Sequence, residues 1–303
     1  MKSVVTVLVV AAGAMMSGQQ SALAADTIAF SVSTTGNPFY ATMAQGARDE
    51  AKAQGFDIIV LDAQNRIDKQ LSDVEDAVTK GIKGLLINGV DDTAGVAVAT
   101  ATKRKIPVIT LQRQLPTGGA VAHIGTNNVK LGETMIEWYA NHVKGREAKI
   151  LILTGSPGAA SSEDRIKGFT AALPKYPNIK LLAQQTGFYD RAKSLGVAEN
   201  LLQRHPDAEA ILALNDEMAI GALAAATSMK RKIAITGMDA NQDAVKGVAA
   251  GEMLMTISLP AYNMGKMGVQ YLAKVMKGEK VPEATVPDVQ FVTAENAASL
   301  VKK

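Results

Sequence analysis

Ile28-Ala29-Phe30-Ser31-Val32-Ser33-Thr34-Thr35-Gly36-Asn37-Pro38-Phe39-Tyr40 is the stretch whose reading decides the fold. Ile28 to Val32 reads as a buried strand, and residues 41–54 read as a helix. The segment between them therefore sits at the carboxyl end of a strand, where open α/β sheets hold their ligands. It offers two adjacent rings and an amide, with no catalytic base, metal ligand or phosphate-cradling glycine loop. Stacking and hydrogen bonding suit holding a small polar molecule rather than transforming it.

Outward from that stretch the alternation continues. Strands are predicted at 27–32, 57–61, 84–87, 108–111, 149–153, 179–185, 210–213, 233–236 and 253–257. Helices are predicted at 38–54, 69–80, 93–105, 129–143, 163–173, 191–203, 216–230, 240–249 and 262–276. Continuous apolar strands, each feeding a crossover helix, mean doubly wound parallel sheets covered on both faces. A first run ends near Gln112-Arg113, followed by a loop with Pro116, Gly118 and Gly119 and a short strand at 121–124. A second run starts at Lys149. Two similar α/β lobes joined near Asn127-Asn128 fit this better than one very wide sheet. The proline-bearing stretch 281–286 reads as a connection between them.

Upstream, Met1-Lys2, an apolar stretch at 4–14 and Ala22-Leu23-Ala24 have the form of an export signal, residues 1–24, cut after Ala24. An uncleaved anchor is the weaker reading, because a span takes about 20 apolar residues. The chain is therefore expected to be exported. It has 0 cysteines, so the core must hold without disulfides. The 32 basic and 29 acidic residues leave a net charge of +3, which argues against nucleic acid as a partner. Aromatic residues make up only 4%, so the pair Phe39-Tyr40 stands out.

The strand ends carry a consistent set: Asn37, Phe39 and Tyr40 after the first, Asn88 after the third, Gln112-Arg113 after the fourth. In the second half, residues 156–165 lead from a strand into a helix and include Arg165. Tyr189, Asn215 and Asp239 follow later strands. Each has an ordinary reading. Asn37-Pro38, Asn215 and Asp239 could be helix N-caps. The arginines could lie at the surface or pair with carboxylates, and the rings could be core. Together, planar polar groups and aromatic faces at one sheet edge have the composition of a carbohydrate cleft.

These residues resemble the periplasmic sugar-binding proteins of the ribose-binding type. The blocks that carry the resemblance are 37–40, 60–65 (Val-Leu-Asp-Ala-Gln-Asn), 85–88, 106–111, 165–169 (Arg-Ile-Lys-Gly-Phe) and 214–219 (Leu-Asn-Asp-Glu-Met-Ala). In this order, behind an export signal, they cover 27–292. The resemblance implies two lobes with a three-segment hinge, residues 25–127 plus 260–286 and residues 128–259 plus 287–303. It implies a monomer in the periplasm without a cofactor that delivers a small sugar to an ABC permease, and in some members also to a chemoreceptor. Asn37, Phe39, Tyr40, Asn88, Gln112 and Arg113 would face the ligand from the first lobe. Arg165, Tyr189, Asn215, Asp239 and Leu259 would do so from the second lobe and hinge. Gln112 stands where ribose binders carry aspartate, and Leu259 where they carry glutamine. Those departures shift the expected ligand from ribose toward another neutral monosaccharide or a polyol, with an acidic sugar held by Arg113 or Arg165 as the alternative.

Other functions fit less well. Gly-x-Gly-x-x-Gly, Gly-x-Ser-x-Gly and Walker motifs are missing, and His123, His142 and His205 lack metal or triad spacing. Asp62-Ala63-Gln64-Asn65 lacks the glycine and terminal glutamate of a calcium loop. A sugar-responsive repressor would need an N-terminal helix-turn-helix. A receptor for a signalling molecule of similar size remains compatible with the fold.

Overall fold

The computed structural model describes residues 25–115 and 117–301. The expected export signal, and Pro116 in the loop after the fourth strand, lie outside the described residues.

Two six-stranded sheets share one winding scheme. The first contains β1 (Thr27–Val32), β2 (Asp57–Asp62), β3 (Gly84–Ile87), β4 (Val108–Leu111), β5 (Ala122–Ile124) and β11 (Ala284–Thr285), in the order β11-β5-β4-β3-β1-β2. The second contains β6 (Ala148–Thr154), β7 (Ile179–Thr186), β8 (Ala210–Ala213), β9 (Ala234–Asp239), β10 (Met255–Ser258) and β12 (Gln290–Val292), in the order β12-β10-β9-β8-β6-β7. All pairs are parallel except β10 with β12. Each sheet starts at an inner strand and winds first to one side, then to the other. That reversal opens a crevice beside β1 in one sheet and β6 in the other.

The helices are α1 (Pro38–Gln54), α2 (Ile67–Thr79), α3 (Gly95–Lys103), α4 (Asn128–His142), α5 (Ala160–Ala172), α6 (Arg191–Arg204), α7 (Asp216–Ser228), α8 (Gln242–Ala249), α9 (Ala261–Met276) and α10 (Ala297–Leu300). Local chemistry sets the ends of α1. Asn37 Oδ1 accepts the Phe39 N–H, Pro38 needs no amide partner in the first turn, and Gly55 closes the helix in the left-handed region at φ 77°. Strands β1, β3, β4 and β8 are buried on nearly every residue, as parallel strands covered on both faces must be.

The chain passes from the first sheet to the second between β5 and α4. It returns between β10 and α9, where α9 packs on α1, and crosses again between β11 and β12. The stretch 281–286, read as a bare connection, contains β11, which extends the first sheet along β5. A second difference is at Asp239. It ends β9 with φ 122° and caps no helix, and α8 starts only at Gln242. The buried Asp216 carboxylate accepts the Asn241 N–H at 2.7 Å and the Thr256 hydroxyl accepts that of Ala240 at 3.3 Å, so the turn is spent on those bonds.

Candidate ligand-binding cleft

Strand carboxyl ends from the two sheets face each other across a cleft. Its mouth is a cavity of about 640 Å³ lined by Asn37, Tyr40 and Arg113 from one side and Tyr189, Asp190 and Arg191 from the other. Beneath it lies a cavity of about 20 Å³ enclosed by Asn37, Phe39, Tyr40 and Gln112 together with Ser161, Arg165, Tyr189, Asn215 and Asp239. Residues from both lobes enclose so little space that the lobes stand closed on each other.

Two asparagines occupy matching places. Asn37 caps α1 through Oδ1, 2.9 Å from the Phe39 nitrogen, and Asn215 caps α7 through Oδ1, 3.0 Å from the Met218 nitrogen. A backbone N–H needs an acceptor, so capping fixes the orientation of each amide and leaves its Nδ2 donor for the cleft. The N-cap reading and the ligand reading of these residues are thus compatible, one atom serving each.

The arginines do not lie at the surface, and among the described residues neither forms an ion pair. Arg113 is 4% exposed, and its Nη1 donates to the carbonyls of Gly89 and Val90 at 2.6 and 2.9 Å. Its Nε is buried without a partner, an unspent donor at the edge of the cleft. The guanidinium carbon lies 5.6 Å from the Tyr40 ring centroid and 5.8 Å from that of Tyr189. Arg165 donates from Nε to Asn128 Oδ1 at 3.0 Å and from Nη1 to the Leu214 carbonyl. Its position depends on close packing of α4 on α5: a Cβ at Gly132 would lie 2.1 Å from the Arg165 carbonyl oxygen. Main-chain carbonyls hold both cations in place without neutralising them.

Phe39 meets Tyr40 edge-to-face at 5.2 Å, and both rings are largely buried. Burial raises the Tyr40 phenol above its ordinary value, against the lowering effect of Arg113. Tyr189 has φ 57°, and its hydroxyl lies 3.2 Å from Ser161 Oγ. A Cβ at Gly155 would sit 2.1 Å from Tyr189 Cζ, so this ring lies directly on bare backbone.

Asp239 is the acidic residue of the inner cavity. Burial pushes its carboxyl up to about 8, Arg165 acts in the opposite direction, and Glu217 adds to the rise. Asp216 behind it is raised well above the carboxylate range by burial and then by the charge of Asp239. Two buried carboxylates thus compete for one region of low dielectric.

Two expected residues are elsewhere. Asn88 accepts the Ser33 hydroxyl at 2.8 Å and donates to the Leu111 carbonyl at 3.1 Å, so it ties the ends of β1, β3 and β4 together without lining either cavity. Leu259 is apolar and packs in the core, again off the cavity wall. Ser161 escaped the strand-end reading because it lies inside α5. It precedes Arg165 by four residues, the spacing of one helix face, and that was the available signal.

His123 and the 62–65 loop have local partners. Burial pulls His123 down to about 4, and its Nδ1 lies 2.9 Å from Thr110 Oγ1. The Asp62 carboxylate accepts the Thr35 hydroxyl at 2.5 Å and the Gln64 N–H at 2.9 Å, which makes a local turn. Among the described residues no group of three or more His, Cys, Asp or Glu could hold a metal ion, and no helix is long and apolar enough to cross a membrane.

Known proteins share this architecture. A family model described as a periplasmic binding protein domain matches residues 28–280. The ribose import binding protein RbsB of Haemophilus influenzae is 41% identical over 268 residues, spanning 88% of this chain and 91% of that protein. The D-allose-binding periplasmic protein of Escherichia coli is 33% identical over 291 residues, spanning 90% of this chain and 94% of that protein. A crystal structure of an ABC transporter solute-binding protein from Mycobacterium smegmatis with bound glycerol matches with a TM-score of 0.86 at 34% identity, over 92% of this chain and 98% of that one. With two parallel-sheet lobes facing each other across a cleft, the chain belongs to the periplasmic binding protein domain family, a family of binding proteins rather than enzymes, in its type I fold.

Proposed function

We propose that this chain is the solute-binding component of an ABC importer and captures a small neutral monosaccharide or polyol between its lobes. The observation that carries this is the matched pair Asn37 and Asn215, one per lobe, each spending its carbonyl on a helix and keeping its amide donor for the cleft. Around them, Arg113 and Arg165 would donate to ligand oxygens, Asp239 and the Gln112 carbonyl would accept, and Phe39, Tyr40 and Tyr189 would cover the C–H faces. Ser161 would add a hydroxyl. Hydrogen bonds to charged groups contribute about 1.5–3 kcal/mol each. A few of them reach the roughly −8 kcal/mol of micromolar affinity.

A neutral ligand fits the arginines, because Arg113 and Arg165 each already spend Nη1 on main-chain carbonyls and so have fewer N–H groups left to grip a ligand carboxylate in a fork. The names of the relatives, which mention ribose and allose, and the glycerol in the related structure support the same class. Ligand contacts to both lobes favour the closed form, and closure presents a surface that a permease can distinguish. The lobes in this reading are 25–127 plus 260–286 and 128–259 plus 287–303, supported by the sheet that each strand joins. The same reading has the protein working as a monomer in the periplasm after cleavage near Ala24, with the permease as partner and a chemoreceptor as a second docking partner in the manner of the family.

Calorimetry on the purified protein with ribose, allose, xylitol, glycerol and the acidic sugar ribonate tests this. Binding of a neutral compound is expected, and at 100 times its Kd it should add about 2.7 kcal/mol of stability. Binding of ribonate alone, or of none of the five, would overturn the reading.

A further inference from the structure

Four buried side chains form a continuous hydrogen-bonded chain from one lobe to the other. Gln112 Nε2 lies 3.2 Å from Thr126 Oγ1, Thr126 Oγ1 lies 3.4 Å from Asn128 Oδ1, and Arg165 Nε donates to that same Oδ1 at 3.0 Å. Gln112 follows β4 of the first sheet. Thr126 lies in the first segment between the sheets, Asn128 opens α4, and Arg165 lies on α5 beside the second sheet. All four are buried.

Counting protons gives the chain a direction. An amide nitrogen can only donate and a hydroxyl has one proton. Gln112 Nε2 therefore donates to Thr126, and Thr126 turns its own proton toward Asn128 Oδ1, which also accepts from Arg165. The competing contact, Thr126 Oγ1 to Gln112 Oε1, is longer at 3.5 Å. Gln112 Oε1 is then left without the threonine proton. An aspartate at 112 would have no donor for Thr126, the threonine proton would turn back toward the carboxylate, and Asn128 Oδ1 would lose one of its two donors.

Gln112 and Arg165 line the inner cavity, whereas Thr126 and Asn128 line neither cavity. The chain thus joins two ligand-facing side chains of opposite lobes through residues that do not touch the ligand space. We propose that Gln112–Thr126–Asn128–Arg165 is a closure latch: it completes when the lobes close, and Thr126 and Asn128 are positioning residues that set the closed population. This rests on the reading of the cleft as a ligand site that closes, and it assigns Gln112 a conformational task in addition to any ligand contact.

The chain has no cysteine, so a labelled pair can be introduced without interference. Asp92→Cys, next to the mouth residue Asp91 of the first lobe, and Ala192→Cys, in the mouth wall of the second, place spin labels on exposed residues of opposite lobes. Distances between them, measured by pulsed electron resonance on protein freed of ligand by unfolding and refolding, report the closed-to-open ratio directly. A closed component is expected in the parent, about fivefold smaller in Thr126→Val, as one neutral hydrogen bond predicts, and restored in Thr126→Ser. If Thr126→Val does not fold, Gln112→Met, which removes the donor from the other end, should show the same loss. A parent without a closed component, or a Thr126→Val ratio equal to that of the parent, overturns the latch. Failure of every neutral sugar to bind would overturn the proposed function instead and leave the distance result standing.

Discussion

Arg113 of the first lobe holds its guanidinium carbon 5.8 Å from the ring centroid of Tyr189 of the second, with Tyr40 at 5.6 Å on its own side. One cation therefore touches aromatic faces from both walls of the cleft. Cation–π contacts of this kind contribute about 0.5–2 kcal/mol, more when desolvated.

That contact predicts a graded response at Tyr189. Tyr189→Phe keeps the ring and loses only the hydroxyl that meets Ser161, so ligand affinity should fall by no more than about tenfold. Tyr189→Ala loses the ring as well and should cost more than tenfold. Calorimetric Kd values for a neutral sugar that binds the parent check this; equal effects of the two substitutions would remove the ring from the site.

Asn37 separates capping from binding. Asn37→Asp keeps an oxygen for the Phe39 N–H and removes the Nδ2 donor, so affinity should drop more than tenfold with the urea midpoint preserved. Asn37→Ala should lose affinity and also about 1 kcal/mol of stability. Unchanged affinity in Asn37→Asp would mean that the amide serves the helix alone.

Gly155 supports Tyr189 by lacking a side chain. In Gly155→Ala the new methyl would have to occupy a place 2.1 Å from Tyr189 Cζ, so the ring must move. Overpacking of this kind costs about 1–3 kcal/mol. Affinity should fall about as far as in Tyr189→Ala, and the double variant should be no worse than Tyr189→Ala alone. Additive losses would show that the two residues act separately.

The Asp239 carboxyl stands near 8 in the folded chain against an ordinary 3.8. Between those values the native state holds a proton that the unfolded state has lost, so stability falls as pH rises through this window and the loss is complete above it. Asp239→Asn should flatten that decline in urea unfolding followed by circular dichroism from pH 5 to 8. A residual slope will remain from Asp216, whose carboxyl is raised in the same way. Parallel curves for parent and variant would show that Asp239 titrates normally.

The alternation of strands and helices was legible because buried parallel strands must be apolar throughout and their crossover helices have their own period. Asn37 and Asn215 were legible because a polar residue between a strand and a helix has few roles: both cap their helices, and both line the inner cavity. Asp239 occupies the same sequence context and does not cap. Asp216 and Thr256, distant in sequence, take the neighbouring amides and hold the turn in another shape. β11 and β12 were missed because strands of two and three residues carry too little pattern to detect, and exist through pairing with β5 and β10.

By itself the sequence determined the fold class, the order of its elements and the sheet edge where polar side chains collect, since these depend on local period and burial. Tertiary structure decided which of those side chains reach the cleft. Asn88 is consumed by Ser33 and Leu111, Leu259 is drawn into the core, and Ser161 is brought in from a helix. It also placed Arg113 between rings of both lobes and joined Gln112 to Arg165 through Thr126 and Asn128. The physical reason is that a buried polar group must find a partner, and the partners available at a strand end come from segments that only the folded chain brings together.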